Sequence, residues 1–276
     1  MAEFTTSDGL RLYYETRGEG APILCLPGLT RNVRDFDFVA PHLDGYRMIA
    51  LDLRGRGLSA HDPDYMTYNI FREGEDVVDL LDHLGLDRAT FLGTSRGGLV
   101  TMAVAASRPE RLAGAILNDV GPEVGPAGIA RIMGYLGATP EEPTHDAWAR
   151  AAMEANAPEF PGVPLSVWRQ QAEAQFIETG DGLALRYDPH LRTAILEQAA
   201  AGDAPDLWQF FDNLRGIPTG VIRGANSDIL TPETLAKMRE RRPDLMVAEV
   251  PDRGHPPFLD ERESLSMIRA VLEAAT

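Results

Sequence analysis

Apolar residues in this chain fall into short blocks with two different spacings. The blocks APILCLPG (21–28) and YRMIALDL (46–53) are apolar almost throughout and give way at Pro27-Gly28 and near Asp52. Runs of this kind suit strands buried on both faces of a mostly parallel sheet. LRLYYETRG (10–18), following Ser7-Asp8-Gly9, reads as the return arm of a hairpin. Between the strands, VRDFDFVAPHL (33–43) is expected to form a short helix. NIFREGEDVVDLLDHLG (69–85) sets Ile70, Val77, Leu80, Leu81 and Leu84 at helical spacing. The alternation continues with RATFLGT as a strand, GLVTMAVAASRPE as a helix and LAGAILNDV as a further strand. It resumes near the end with IPTGVIRG, TPETLAKMRE, LMVAEV and the closing helix FLDERESLSMIRAVLEAA. Strand and helix in alternation predict an α/β fold, a doubly wound and mostly parallel sheet.

From Gly121 to about Pro205 the pattern changes. Prolines recur at 122, 126, 140, 143, 158, 161, 164 and 189, and no strand-like run is evident. PAGIARIMGYLG, HDAWARAAMEAN and PLSVWRQQAEAQF are amphipathic and carry large apolar residues. The expected organisation is a core domain of residues 1–120 and 206–276, interrupted by a helical cap over 121–205. No internal repeat or low-complexity segment breaks this outline, and ligands are expected at the carboxyl ends of the strands.

Composition narrows the function classes. The 26 Lys and Arg against 42 Asp and Glu leave a formal net charge of −16, which repels phosphate backbones and anionic lipid surfaces. Nucleic acid and membrane are therefore not expected partners, whereas a small-molecule substrate is, and a homo-oligomer is compatible with the sequence. The amino-terminal stretch lacks the basic start and apolar core of a signal peptide, and no run approaches the ~20 apolar residues of a membrane span. The single Cys25 sits inside an apolar strand and reads as a small buried thiol, so a reducing, cytoplasmic setting is the expectation.

The candidate chemistry centres on FLGTSRGGL (91–99), where Ser95 stands between a strand and a helix with glycines at 93, 97 and 98. Such a turn is strained and crowded, which is why glycines flank it. A serine hydroxyl is a weak nucleophile without a base, and the base requires a carboxylate to hold its tautomer. His255, in PDRGHPPFLDE after a strand, is the best-placed base; His42, His83, His145 and His190 read as surface or core residues and His61 as a solvated loop residue. Asp228, in VIRGANSDIL after the preceding strand, is the candidate acid. Gly55-Arg56-Gly57 and its neighbours match part of a dinucleotide fingerprint, but Pro63 disfavours the helix that a phosphate site needs. With no HExxH, paired CxxC or Walker sequence, neither a metal nor any other cofactor is expected.

In this order, LPGLTRN, LDLRGRGLS, GTSRGG, RGANSD and RGHPPF resemble the α/β-hydrolase fold family with a helical cap, over nearly the whole chain. The resemblance implies a triad of Ser95, Asp228 and His255, with the backbone amides of Leu29 and Arg96 receiving an oxyanion. Some members place the acid where Asp119 stands; Asp228 is the expected acid here, and Asp119 a hinge or helix-capping residue. Many members carry His-Gly where this chain has Pro27-Gly28. The serine argues against the dehalogenase and epoxide-hydrolase branches, which use an aspartate nucleophile. The Arg96 guanidinium is either a grip for a substrate carboxylate or the partner of an acid such as Glu123 or Asp119. Met133, Tyr135, Leu136, Trp148, Phe160, Trp168 and Phe176 are candidates to line a pocket, with Arg96, Met133, Trp148 and Trp168 as the expected substrate-binding set. The implied activity is cofactor-free hydrolysis of an ester, lactone or thioester of a small, mostly apolar molecule. Carbon–carbon bond hydrolysis, a cofactor-free lyase or oxygenase reaction, and a non-catalytic binding role are the alternatives.

Overall fold

Thr6 N–H donates to the Leu10 carbonyl at 2.9 Å and closes a hairpin in which β1 (Ala2–Thr5) runs antiparallel to β2 (Arg11–Arg17). In the computed structural model, which describes residues 2–202 and 205–275, the chain continues through β3 (Ala21–Leu26) and β4 (Tyr46–Leu51). Next come α1 (Ile70–His83), β5 (Ala89–Thr94), α2 (Arg96–Ser107) and β6 (Leu112–Asn118). The insertion holds α3 (Pro126–Tyr135), α4 (His145–Ala155), α5 (Leu165–Gln175), the hairpin of β7 (Phe176–Thr179) and β8 (Gly182–Leu185), and α6 (His190–Ala201). The chain then returns through α7 (Leu207–Asp212), β9 (Thr219–Gly224), α8 (Pro232–Arg241), β10 (Met246–Val250) and α9 (Arg262–Ala274).

Eight strands form one sheet in the order β1-β2-β4-β3-β5-β6-β9-β10, parallel from β4 onward and antiparallel at the β1-β2 and β2-β4 pairs. All six residues of β5 and all six of β9 are buried, as expected of strands covered on both faces. Successive side chains of β3 serve opposite layers. Leu24 and Leu26 pack with Phe91, Val77, Leu80, Val104 and Phe211 on one face, while Ile23 and Cys25 pack with Leu92, Ile116, Ile268 and Val271 on the other. Each such Leu, Ile or Phe removes apolar area worth about 1.5–3 kcal/mol from water, so the two layers hold the strand ends in place. Asn69 starts α1 by accepting the Phe71 and Arg72 amides on its side-chain oxygen. Among the described residues no helix is long and apolar enough to cross a membrane.

Three local expectations give way. Residues 33–42 form two 3-10 turns, Val33–Phe36 and Ala40–His42, rather than one helix. Pro41 has no amide to continue a helical ladder, and the Val33 amide is already committed to the Asp52 carboxylate at 2.7 Å. The insertion is not wholly helical, because β7 and β8 pair within it; each is only four residues long, too short to show alternation. The last helix begins at Arg262 rather than Phe258, since Glu261 accepts the Phe258 and Leu259 amides and holds that segment as a turn.

The loop after β4 is anchored by a buried cation. Arg54, with no exposed surface, donates twice to Asp76 of α1 at 2.7 Å and once each to Asp62 and Asp8. Burial alone would raise the Asp8 carboxyl, but the Thr6 hydroxyl and Arg54 outweigh it and draw it down to about 2. A group depressed in the folded state adds stability above its ordinary value of 3.8 and loses it as pH falls towards 2. Arg54→Met leaves the buried Asp76 carboxylate stranded but for Arg72, which donates to it at 2.8 Å, so a loss of up to about 3 kcal/mol is expected at neutral pH. In urea titrations the gap from the parent protein is expected to narrow below about pH 4, as the stranded carboxylates take protons.

Candidate active site

Ser95 follows β5 and precedes α2 with φ 51° and ψ −113°, a left-handed backbone that a non-glycine residue adopts only at a strain of about 1–3 kcal/mol. The turn is tight enough to forbid side chains at its flanks. A Cβ at Gly93 would lie 2.5 Å from the Gly97 carbonyl oxygen, and one at Gly97 would lie 2.0 Å from the Leu26 carbonyl oxygen. Ser95 N–H donates to the Asn118 carbonyl at 2.9 Å, which ties the turn to the end of the neighbouring strand.

His255 lies on the loop between β10 and α9. Its Nε2 is 3.0 Å from Ser95 Oγ and its Nδ1 is 2.8 Å from Asp119 Oδ2. Asn118 steadies this loop by donating its side-chain amide to the Pro257 carbonyl at 3.2 Å. The carboxylate behind the imidazole is therefore Asp119 and not Asp228, which corrects the expected acid. Asp119 is fully buried, directly follows β6 and has φ 58°. It also accepts the Gly224 amide at 2.9 Å and the Ser227 hydroxyl at 2.6 Å, and its own amide donates to the Ile222 carbonyl. The loop after β9 thus sends Ser227 to the carboxylate behind the imidazole rather than supplying that carboxylate. Asp228, one residue on, is taken by Arg131 of α3 in a bidentate pair at 2.7 and 2.8 Å. Burial opposes its ionisation, but Arg131 outweighs that and holds the Asp228 carboxyl below its usual range.

The loop after β3 passes over the serine: a Cβ on Gly28 would be 3.9 Å from Ser95 Cβ. The Gly28 carbonyl accepts Arg31 N–H at 3.1 Å, and in a trans peptide the Leu29 N–H must then point the opposite way. The Leu29 carbonyl accepts Arg56 Nε at 3.0 Å. Arg96 opens α2, where the first amides have no partner within the helix. Its guanidinium, however, is not offered to a ligand. Arg96 Nε donates to Glu73 of α1 at 2.7 Å and its Nη2 to the Tyr68 carbonyl at 3.3 Å. Neither Glu123 nor Asp119 is its partner, because Glu123 pairs with Lys237 and Trp208. Burial would raise the Glu73 carboxyl, but Arg56 and Arg96 together hold it below its ordinary value.

A cavity of about 590 Å³ opens over Ser95 and His255, walled by residues of the insertion. Trp148, Phe160, Trp168 and Phe176 line it, as do Tyr135 and Phe258. Met133 does not: its neighbours Ile132 and Tyr135 reach the cavity, while Met133 packs against the cluster of Tyr68, Leu136, Tyr187 and Leu191. Leu136, also a pocket candidate, is a buried member of that cluster. Two lining cations escaped the sequence reading. Arg31 contacts Gln171 of α5 and lies 3.6 Å from Asp35, and Arg131 holds Asp228. Arg31 belongs to the loop after β3 that passes over the serine, and Arg131 reaches the cavity through the docking of the insertion. Among the described residues no group of three His, Cys, Asp or Glu side chains is placed to hold a metal ion.

Comparison with known proteins agrees with this architecture. Residues 21–151 match the family described as the alpha/beta hydrolase fold. A 3-hydroxybutyrate-oligomer hydrolase of Cupriavidus necator is 36% identical over 91% of this chain and 89% of its own. A 2-(acetamidomethylene)succinate hydrolase of Mesorhizobium japonicum is 27% identical over 89% and 85% of the two chains. The crystal structure of an α/β hydrolase from Novosphingobium aromaticivorans matches with a TM-score of 0.89 at 41% identity, covering 99% of this chain and 97% of that one. With a curated relative this similar over nearly its full length, and with the strand order and serine turn described above, the chain belongs to the α/β hydrolase family of enzymes.

Proposed function

We propose that this protein is a cofactor-independent serine hydrolase that cleaves a carboxylic ester through an acyl-enzyme on Ser95, with His255 as base and Asp119 as acid. The observation that carries the reading is the unbroken hydrogen-bond chain from Ser95 Oγ through His255 to the buried Asp119, at the floor of the cavity. In the first half-reaction His255 Nε2 takes the hydroxyl proton as Oγ attacks the ester carbonyl, and Asp119 keeps the imidazole oriented and stabilises its charged form. The carbonyl oxygen becomes an oxyanion facing the Leu29 and Arg96 amides. Collapse of the tetrahedral intermediate breaks the ester bond, and the proton passes from His255 to the departing alcohol. Water then repeats the path and releases the acid.

Residues 121–205 act as the cap that closes over this centre. The aromatic wall suits a short carbon chain, while Arg31 and Arg131 suit a substrate that carries its own carboxylate. Two full-length relatives are named for substrates bearing carboxylates, a 3-hydroxybutyrate oligomer and an acetamidomethylene succinate. A short ester of a hydroxy acid fits both features. Arg96, the expected grip for a substrate carboxylate, is engaged with Glu73 and does not line the cavity, so it does not favour the carbon–carbon bond alternative.

Asp119→Asn is expected to lower kcat by about four orders of magnitude, as the imidazole loses its tautomer and orientation. Asp228→Asn should leave kcat far closer to that of the parent. The reverse ranking, measured on p-nitrophenyl butyrate, would return the acid to Asp228. For recognition, Arg131→Met should raise KM for a hydroxy-acid ester with a free carboxylate while leaving KM for its methyl ester little changed. Equal effects on the two substrates would remove Arg131 from substrate binding.

A further inference from the structure

The loop after β4, helix α1 and the first residue of α2 place three charged side chains, Arg56, Glu73 and Arg96, behind the serine turn. Arg56 and Glu73 have no exposed surface, and the Arg96 side chain is 12% exposed. Arg56 Nη1 is 2.7 Å from Glu73 Oε1, and Glu73 Oε2 accepts Arg96 Nε at 2.7 Å. Stability alone is a poor reason for such a trio, since a well-packed apolar trio of similar volume is often as stable or more so. What distinguishes it is where its two ends attach. One end, Arg56 Nε, holds the Leu29 carbonyl at 3.0 Å. The other end is the side chain of Arg96 itself. Leu29 and Arg96 are the two residues whose amides face the developing oxyanion in the reaction above.

We propose that Glu73 is a positioning residue: through Arg56 and Arg96 it sets the distance between the Leu29 and Arg96 amides, so that both meet the tetrahedral intermediate. The inference rests on the acyl-transfer reading of Ser95. Several features fix the brace. Arg56 Nη1 donates to the Arg54 carbonyl at 2.6 Å while it ion-pairs with Glu73, and the guanidinium lies over the Tyr68 ring, 5.6 Å from its centroid. Gly74, beside Glu73, lets α1 approach α2 closely, for a Cβ there would lie 3.3 Å from Val104 Cγ2. Glu73 thereby reaches both arginines at once. Two guanidinium groups around one carboxylate also leave a net positive charge beneath the site, which favours an oxyanion. Geometry and field act together in the parent protein and part company when Glu73 is changed. Glu73→Gln keeps the side-chain shape, weakens the brace and makes the local charge more positive. A pure field effect would tighten oxyanion binding, whereas loss of the brace weakens it.

The test pairs turnover of p-nitrophenyl butyrate with inhibition by a short-chain alkyl trifluoromethyl ketone. In the inhibited enzyme Ser95 Oγ bonds to the ketone carbon, the carbonyl electron pair becomes an oxyanion and the serine proton moves to His255. For Glu73→Gln, kcat and ketone affinity are expected to fall together by about tenfold or more, with KM within about twofold of the parent. Arg96→Met removes the brace from its partly exposed end, keeps the Arg56–Glu73 pair and serves if Glu73→Gln does not fold; it should show the same paired loss. Unchanged or tighter ketone binding in a folded variant, or a fall in kcat without a fall in ketone affinity, would overturn the proposal. If Ser95→Ala turned over the ester at the parent rate, the acyl-transfer reading would fall first and the brace with it.

Discussion

The left-handed backbone of Ser95 is the constraint around which the rest of the site is arranged. At φ 51° the residue is strained, and the strain persists only because its surroundings over-determine it. Its amide is held by Asn118, its flanks at Gly93 and Gly97 admit no side chain, and α2 begins immediately after it. The hydroxyl therefore stands at the carboxyl edge of the sheet, where the loops after β3, β6, β9 and β10 converge. Two buried layers of apolar side chains keep those strand ends fixed relative to one another.

The acid illustrates how tertiary geometry selects between similar candidates. Asp119 and Asp228 both follow parallel strands, both lie near His255, and both are carboxylates that sequence order alone makes eligible. The left-handed backbone at Asp119 turns its carboxylate under the imidazole, where the Gly224 amide and the Ser227 hydroxyl complete its hydrogen bonds. Asp228 is drawn the other way by Arg131, a residue of the insertion. The same loop thus supports the acid through Ser227 and anchors the insertion through Asp228.

Much of the core was legible in the sequence because its signals are local: continuous apolar runs for buried strands, glycines around a serine for the tight turn, helical spacing of apolar residues for α1. The features that were not legible depend on partners distant in the chain. Arg96 could have faced the cavity or turned away, and it turns away because Glu73, on a different helix, is within reach. Met133 falls outside the cavity because of how α3 rotates against Tyr68 and Leu136, which a helical spacing does not specify. Arg131 becomes a cavity residue only when the insertion docks. The β7-β8 hairpin is short enough that pairing, rather than pattern, defines it.

Whether Ser95 is an activated nucleophile is read out by covalent capture of its hydroxyl. The parent protein and Ser95→Ala would be incubated with a small alkyl fluorophosphonate and their intact masses compared. One phosphonyl adduct is expected on the parent, mapped to Ser95, and none on the variant. A parent protein that stays unlabelled, or an adduct that persists in Ser95→Ala, would contradict an activated Ser95.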